Sequence, residues 1–138
     1  MTNPAHEFFG VHVPFLAWLD VRGTELRPGS ASLQLTLRPE LLNSLGAAHG
    51  GVVCTLLDVA MAAAARSDDP NSRAITVDMA VHFMRPGAGE LTARGTLLAL
   101  TKSLAFCEAE LRDTNNELLA KASGTFKRLQ PGRSVADG

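Results

Sequence analysis

Residues Val52–Ala65 read VVCTLLDVAMAAAA, 14 residues with a single charged side chain, Asp58. The run is too long for a strand and is rich in Ala and Leu, which lose little on entering a helix. Arg66 follows at the end, where positive charge suits the helix dipole. The pattern predicts an α-helix from about Gly50 to Ser67, stopped by Asp68-Asp69-Pro70-Asn71. A helix apolar on nearly all sides is a buried one, so the rest of the chain must wrap it.

The flanking sequence supplies strands for that purpose. Leu33, Leu35 and Leu37 alternate with Ser32, Gln34 and Thr36, the period of a half-buried strand, which Pro39 ends. Beyond Arg73, Ile75, Val77, Met79, Val81 and Phe83 read as one apolar face opposite Thr76, Asp78, Ala80 and His82. Three further strands are expected at Leu91 to Leu100, Ser103 to Arg112 and Leu118 to Leu129. Their short connections predict antiparallel neighbours. Upstream, Pro4 and Pro14 bracket a short helix or turn, and Gly23 marks a turn or bulge. The expected class is α+β: one long central helix wrapped by a curved antiparallel sheet of five to six strands. Residues 1–29 contribute an N-terminal helix or turn and the first strand, 30–129 the core, and 130–138 a flexible polar tail.

Composition narrows the function. A chain of 138 residues is one domain in size, and 46% hydrophobic content excludes disorder. A formal net charge of −1 excludes the basic signature of a nucleic-acid binder. No leader and no apolar run of about 18 residues is present, so neither secretion nor a membrane is expected. Cys54 and Cys107 sit in apolar runs and read as reduced thiols of a cytoplasmic protein. His6, His12 and His82 fit no metal-ligand spacing, and no metal or cofactor is expected.

Asp58 is the residue that demands an explanation, because an ionised carboxylate is costly to bury without partners. Either it serves chemistry, or the helix exposes a narrow stripe through it. Gly51 and Asp58 are seven residues apart and therefore share a helix face. Free N–H groups of the first turn, beside Gly50 and Gly51, suit an oxyanion. A carboxylate facing such donors suits addition of water to a carbonyl. His49 and Asn43 flank this site, though His49 could equally cap the helix and Asn43 shape a turn. Cys54, one turn before Asp58, offers a rival cysteine nucleophile, against a commoner role as a small packing residue.

The spacing Asn43-Ser-Leu-Gly46-Ala-Ala-His49-Gly50-Gly51, continuing to Asp58, resembles the signature of the hotdog-fold acyl-CoA thioesterases. It is most similar to the phenylacetate-degradation (PaaI-like) branch, which pairs Asp with Asn where the hydroxybenzoyl-CoA branch uses Glu. The resemblance continues through Val77-Asp78-Met79, Phe83-Met84-Arg85-Pro86 and Leu100 to Phe106, covering about residues 30–129. It implies a hotdog fold and acyl-CoA hydrolysis, with Asp58 as general base or nucleophile and the Gly50 N–H polarising the thioester carbonyl. Asn43 and His49 match residues that position the thioester, and Thr76 falls where some relatives hold the attacking water with Ser. Gly51, Arg85, Lys102 and Ser103 are the candidates for gripping CoA, ahead of Lys127 and Arg128. The implied catalytic unit is a homodimer, often paired into a homotetramer, without cofactor, nucleic acid or membrane. Phe8, Phe9, Phe15 and Trp18 are expected to line the acyl site, for aryl-acetyl or medium-chain groups. A hotdog hydratase or dehydratase and a non-catalytic acyl-CoA sensor are the competing readings.

Overall fold

The computed structural model describes residues 7–130. In chain order the elements are β1 (Glu7–Phe8), β2 (Val11–His12), α1 (Pro14–Leu19), β3 (Arg22–Arg27), β4 (Ser30–Thr36), a one-turn 3-10 helix (Pro39–Leu41), α2 (Gly50–Ala65), β5 (Arg73–Phe83), β6 (Glu90–Leu100), β7 (Leu104–Arg112) and β8 (Leu118–Leu129). Strands β3 to β8 form one six-stranded sheet in the order β3-β4-β6-β7-β8-β5, every pair antiparallel. The sheet curls around α2, which is the hotdog arrangement. No helix among the described residues is long and apolar enough to cross a membrane. The tail expected over 130–138 lies, past Gln130, outside the described residues.

Small side chains let the helix sit this close. Ala31, Gly95, Ala109 and Ala122 pair in turn across β4, β6, β7 and β8, making one buried row of small residues beneath α2. Ala60 and Ala64 are buried on the facing side of the helix, and Ala63 and Ala65 are buried as well. Helix and sheet backbones meet at Gly95, where an added Cβ would overlap the Ala60 carbonyl and lie 2.9 Å from the Met61 nitrogen. The polar rows face outward, as in Glu110 between Arg112 (2.9 Å) and Lys121 (3.8 Å). Cys107 is buried in the core, and that burial pushes its thiol up to about 11, which keeps it protonated and inert.

Of the helix or turn expected between Pro4 and Pro14, the described residues form the turn: residues 7–12 make a tight hairpin turning at Phe9 and Gly10, both at positive φ, and α1 follows from Pro14, whose fixed φ suits the first helical turn. Two expectations need correction. The apolar face of β5 is not continuous. The register slips between Thr76 and Asp78, a β-bulge with Val77 as the extra residue. Met79 and Val81 therefore pack toward the core together with Ala74, while Val77 is 59% exposed. Nor is α2 enclosed on every side, since Gly51, Thr55, Asp58 and Ala62 form a stripe that the sheet leaves uncovered. Gly23 does mark a bulge, inside β3.

The contact at Gly95 sets a test of the packing. Gly95→Ala should lower stability by about 2 kcal/mol or more, because backbone cannot yield as a side chain can. Urea unfolding should show the midpoint fall at constant m; an unchanged midpoint would contradict the close approach.

Candidate active site

Asp58 projects from the uncovered stripe of α2 and is half-buried. The bulge at Val77 turns Thr76 toward the helix, and its hydroxyl donates to Asp58 Oδ1 over 2.6 Å. Without the bulge, Thr76 would keep the phase opposite to Met79 and point away. One carboxylate oxygen is thus held by a hydroxyl, and Oδ2 has no hydrogen bond among the described residues.

Two depressions meet at Asp58 and Thr55. One, of about 350 Å³, is walled by Phe8, Val11, Val13, Phe15 and Leu16 on one side and by Val59, Ala62, Ala63 and Ala74 on the other. The other, of about 220 Å³, is bounded by Cys54, Thr76 and Met79. Of the aromatics expected along the acyl site, Phe8 and Phe15 line the larger cavity and Phe9 and Trp18 do not. Phe9 packs over Gly23, while Trp18 lies outside, 60% exposed, with the Arg38 guanidinium 4.7 Å from its ring centre.

Arg66 and Arg73 close the far end of the larger cavity. Arg66 is the C-cap of α2, its Nη1 donating to the Pro70 carbonyl over 2.7 Å. Its guanidinium pKa is lowered by burial and, secondarily, by the charge of Arg73. In the sequence neither arginine stands out as a site residue: Arg66 reads as a dipole partner and Arg73 as the start of a strand. Their common cavity is formed by tertiary packing and carries no local signal.

The loop before α2 forms a second group. His49 is the N-cap, its Nδ1 accepting the Gly51 N–H over 2.9 Å, so the Nε2 nitrogen carries the proton. The Val52 and Val53 N–H groups donate to the His49 carbonyl. Gly51 therefore has no free donor to offer. Of the first-turn donors Gly50 to Val53, the Gly50 N–H alone lacks an acceptor among the described residues. Asn43 Oδ1 accepts from the Leu45 and Ala47 N–H groups and shapes the loop. Asn43, Gly50 and Arg85 border a cleft of about 490 Å³ that also contains Phe83. With Nδ1 committed to the cap, His49 has no hydrogen bond to Cys54, and the Cys-His rival loses its base.

Asp58 and Gly50 are eight residues apart on α2, roughly 12 Å along the axis, too far to act on one carbonyl within one chain. The CoA candidates are further separated. Arg85 lies past the end of β5, in an ion pair with Glu117 (3.1 Å). Lys102 and Ser103 occupy the β6–β7 turn, where the Ser103 carbonyl accepts from the Arg128 N–H near the start of β5. The 11 residues of β5 put about 33 Å between these ends. Lys127 is exposed on β8, and Arg128 is held by Asp68 (3.0 Å) and Ser72.

The thioesterase superfamily model matches residues 45–120. The medium/long-chain acyl-CoA thioesterase YigI of Escherichia coli is 28% identical over 137 residues, covering 87% of this chain and 88% of that one. The conserved protein PA5202 of Pseudomonas aeruginosa superposes with a TM-score of 0.81 at 28% identity, over 86% of this chain and 95% of that one. A mutant form of the phenylacetic acid degradation protein PaaI from Thermus thermophilus gives 0.77 at 31% identity, over 85% and 100%.

The cap geometry makes its own prediction. His49→Ala should cost about 1 kcal/mol of stability and His49→Asn much less, because Asn supplies an equivalent cap acceptor. Equal losses in urea unfolding of the two variants would refute the capping role.

Proposed function

The chain belongs to the thioesterase superfamily, and from that premise we propose that it hydrolyses acyl-CoA thioesters with Asp58 activating the water. The observation that carries this reading is the Thr76–Asp58 hydrogen bond of 2.6 Å at the edge of an apolar cavity of about 350 Å³. Thr76 fixes Oδ1, and Oδ2 takes the proton of a water that attacks the thioester carbon. The departing thiolate is a far better leaving group than an alkoxide or an amine, so no Ser-His-Asp relay is required. The acyl chain enters the cavity, whose aliphatic and aromatic walls suit a medium-length chain. Two free cysteines suit a reducing compartment such as the cytoplasm.

Polarising the carbonyl calls for a donor opposite Asp58, and a second copy of the chain provides one. β5 is an edge strand of the sheet, with Val77 and Phe83 exposed at 59% and 58%. Such an edge invites pairing with an identical strand about a two-fold axis. Antiparallel pairing centred on Ala80, with the bulged Val77 passed over, would set Thr76 of one copy beside Phe83 of the other. Thr76 marks the position of Asp58, and Phe83 that of Gly50, since a Cβ on Gly50 would lie 3.6 Å from the Phe83 ring. The Gly50 N–H of the partner copy then meets the substrate carbonyl, with His49 and Asn43 holding that loop in shape. Arg85 and Lys102, far apart in one chain, become candidates for one CoA only in this pairing.

Asp58→Asn should reduce thiol release from acyl-CoA by at least ~100-fold with the fold intact. Thr76→Val should lower kcat about tenfold, the value of a hydrogen bond to a charged group, and Thr76→Ser should restore it. Near-normal turnover in Asp58→Asn would refute the assignment. Tight binding of intact acyl-CoA to the wild type without thiol release would favour a sensor.

A further inference from the structure

The far end of the Asp58 cavity carries two positive charges that the reaction does not use. Arg66 is 6% exposed, and only its Nη1 is hydrogen-bonded among the described residues, to the Pro70 carbonyl. Arg73 likewise uses only Nη1, toward the carbonyls of Pro70 (3.4 Å), Asn71 (3.1 Å) and Ser72 (2.9 Å). Neither forms an ion pair among the described residues. The acids nearby are otherwise engaged: Asp68 pairs with Arg128 at 3.0 Å, and Asp69 accepts the Asn71 N–H at 3.2 Å. Asp58, the only carboxylate lining the cavity among the described residues, is at the opposite end with Thr76.

We propose that the cavity selects acyl groups ending in a carboxylate, which Arg66 and Arg73 grip while Asp58 works on the thioester. The proposal rests on the acyl-CoA reading above and names the substrate class. A buried guanidinium without a counter-ion is costly, and an uncharged chain filling the cavity would displace water from two of them. A carboxylate reverses that penalty, because guanidinium groups offer it paired, charge-assisted hydrogen bonds. Asp58 and Arg66 are eight residues apart on the helix, roughly 12 Å, and the bond to Pro70 holds the guanidinium away from Asp58. After a hydrogen-bond length at each end, the remaining distance fits a chain of roughly five to seven carbons.

Adipoyl-CoA and hexanoyl-CoA differ only in their distal end, a carboxylate against a methyl, and serve as matched probes. The wild type should favour adipoyl-CoA by at least ~10-fold in kcat/KM, the worth of a hydrogen bond between charged groups. Arg73→Met and Arg66→Met should each bring that ratio toward one, and Arg66→Lys should keep part of it. The ratio within one variant is insensitive to a loss of folded protein, so a purely structural role would leave it unchanged. A wild-type ratio at or below one, or a ratio untouched in both Met variants, would overturn the proposal. Absence of thiol release from both probes would instead defeat the hydrolase reading. Calorimetric binding of the two acyl-CoAs, judged by the same ratio, would then decide the proposal on its own.

Discussion

The approach of α2 to the sheet at Gly95 is the constraint on which the rest of this molecule depends. Backbone touches backbone there, so the helix face must be alanine and the sheet beneath it must be a row of Ala and Gly. The core is consequently thin, and the described chain covers only part of the helix. Gly51, Thr55, Asp58 and Ala62 remain on the uncovered stripe. A carboxylate can sit mid-helix because that stripe borders cavities rather than the packed core, which lowers the cost of its charge.

The bulge at Val77 then converts a structural edge into a site. By inserting one residue it rephases β5, so that Thr76 and Met79 both face the helix. The same residue is displaced outward and adds apolar surface to the sheet edge. One irregularity therefore serves the proposed chemistry twice, by aiming a hydroxyl at Asp58 and by preparing the edge on which a second copy would pair. Above this edge, the cavity wall is built by the N-terminal hairpin and α1, which bring Phe8 and Phe15 against the helix.

Much of this architecture was legible in the sequence. α2, β4 and β8 are encoded by local periodicity, and their limits agree with the pattern to within two residues. The candidate site was legible where chemistry and spacing coincide, as in Asp58 set alone among apolar neighbours. Thr76 could be placed by resemblance to a motif, but the bulge that aims it follows from pairing with β8, which no local pattern records. Arg66 and Arg73 stayed hidden for a similar reason: seven residues apart, they converge because the loop between them folds back. The roles of His49 and Asn43 stood open between chemistry and turn-making, and the hydrogen bonds give both a part in shaping the loop.

What remains central is the proposed division of one active site between two copies, Asp58 from one and the Gly50 N–H from the other. Subunit mixing tests it directly. Gly50→Pro removes that N–H at the first helical position, where proline fits and where His49 at φ −59° and ψ 139° already has the conformation required before proline. Each variant alone should be nearly inactive in thiol release. Dissociated together with Asp58→Asn chains and reassociated, they should recover roughly a quarter of wild-type turnover, since half the dimers are hybrids and each hybrid keeps one intact site. Recovery no greater than the sum of the separate variants would contradict the shared site.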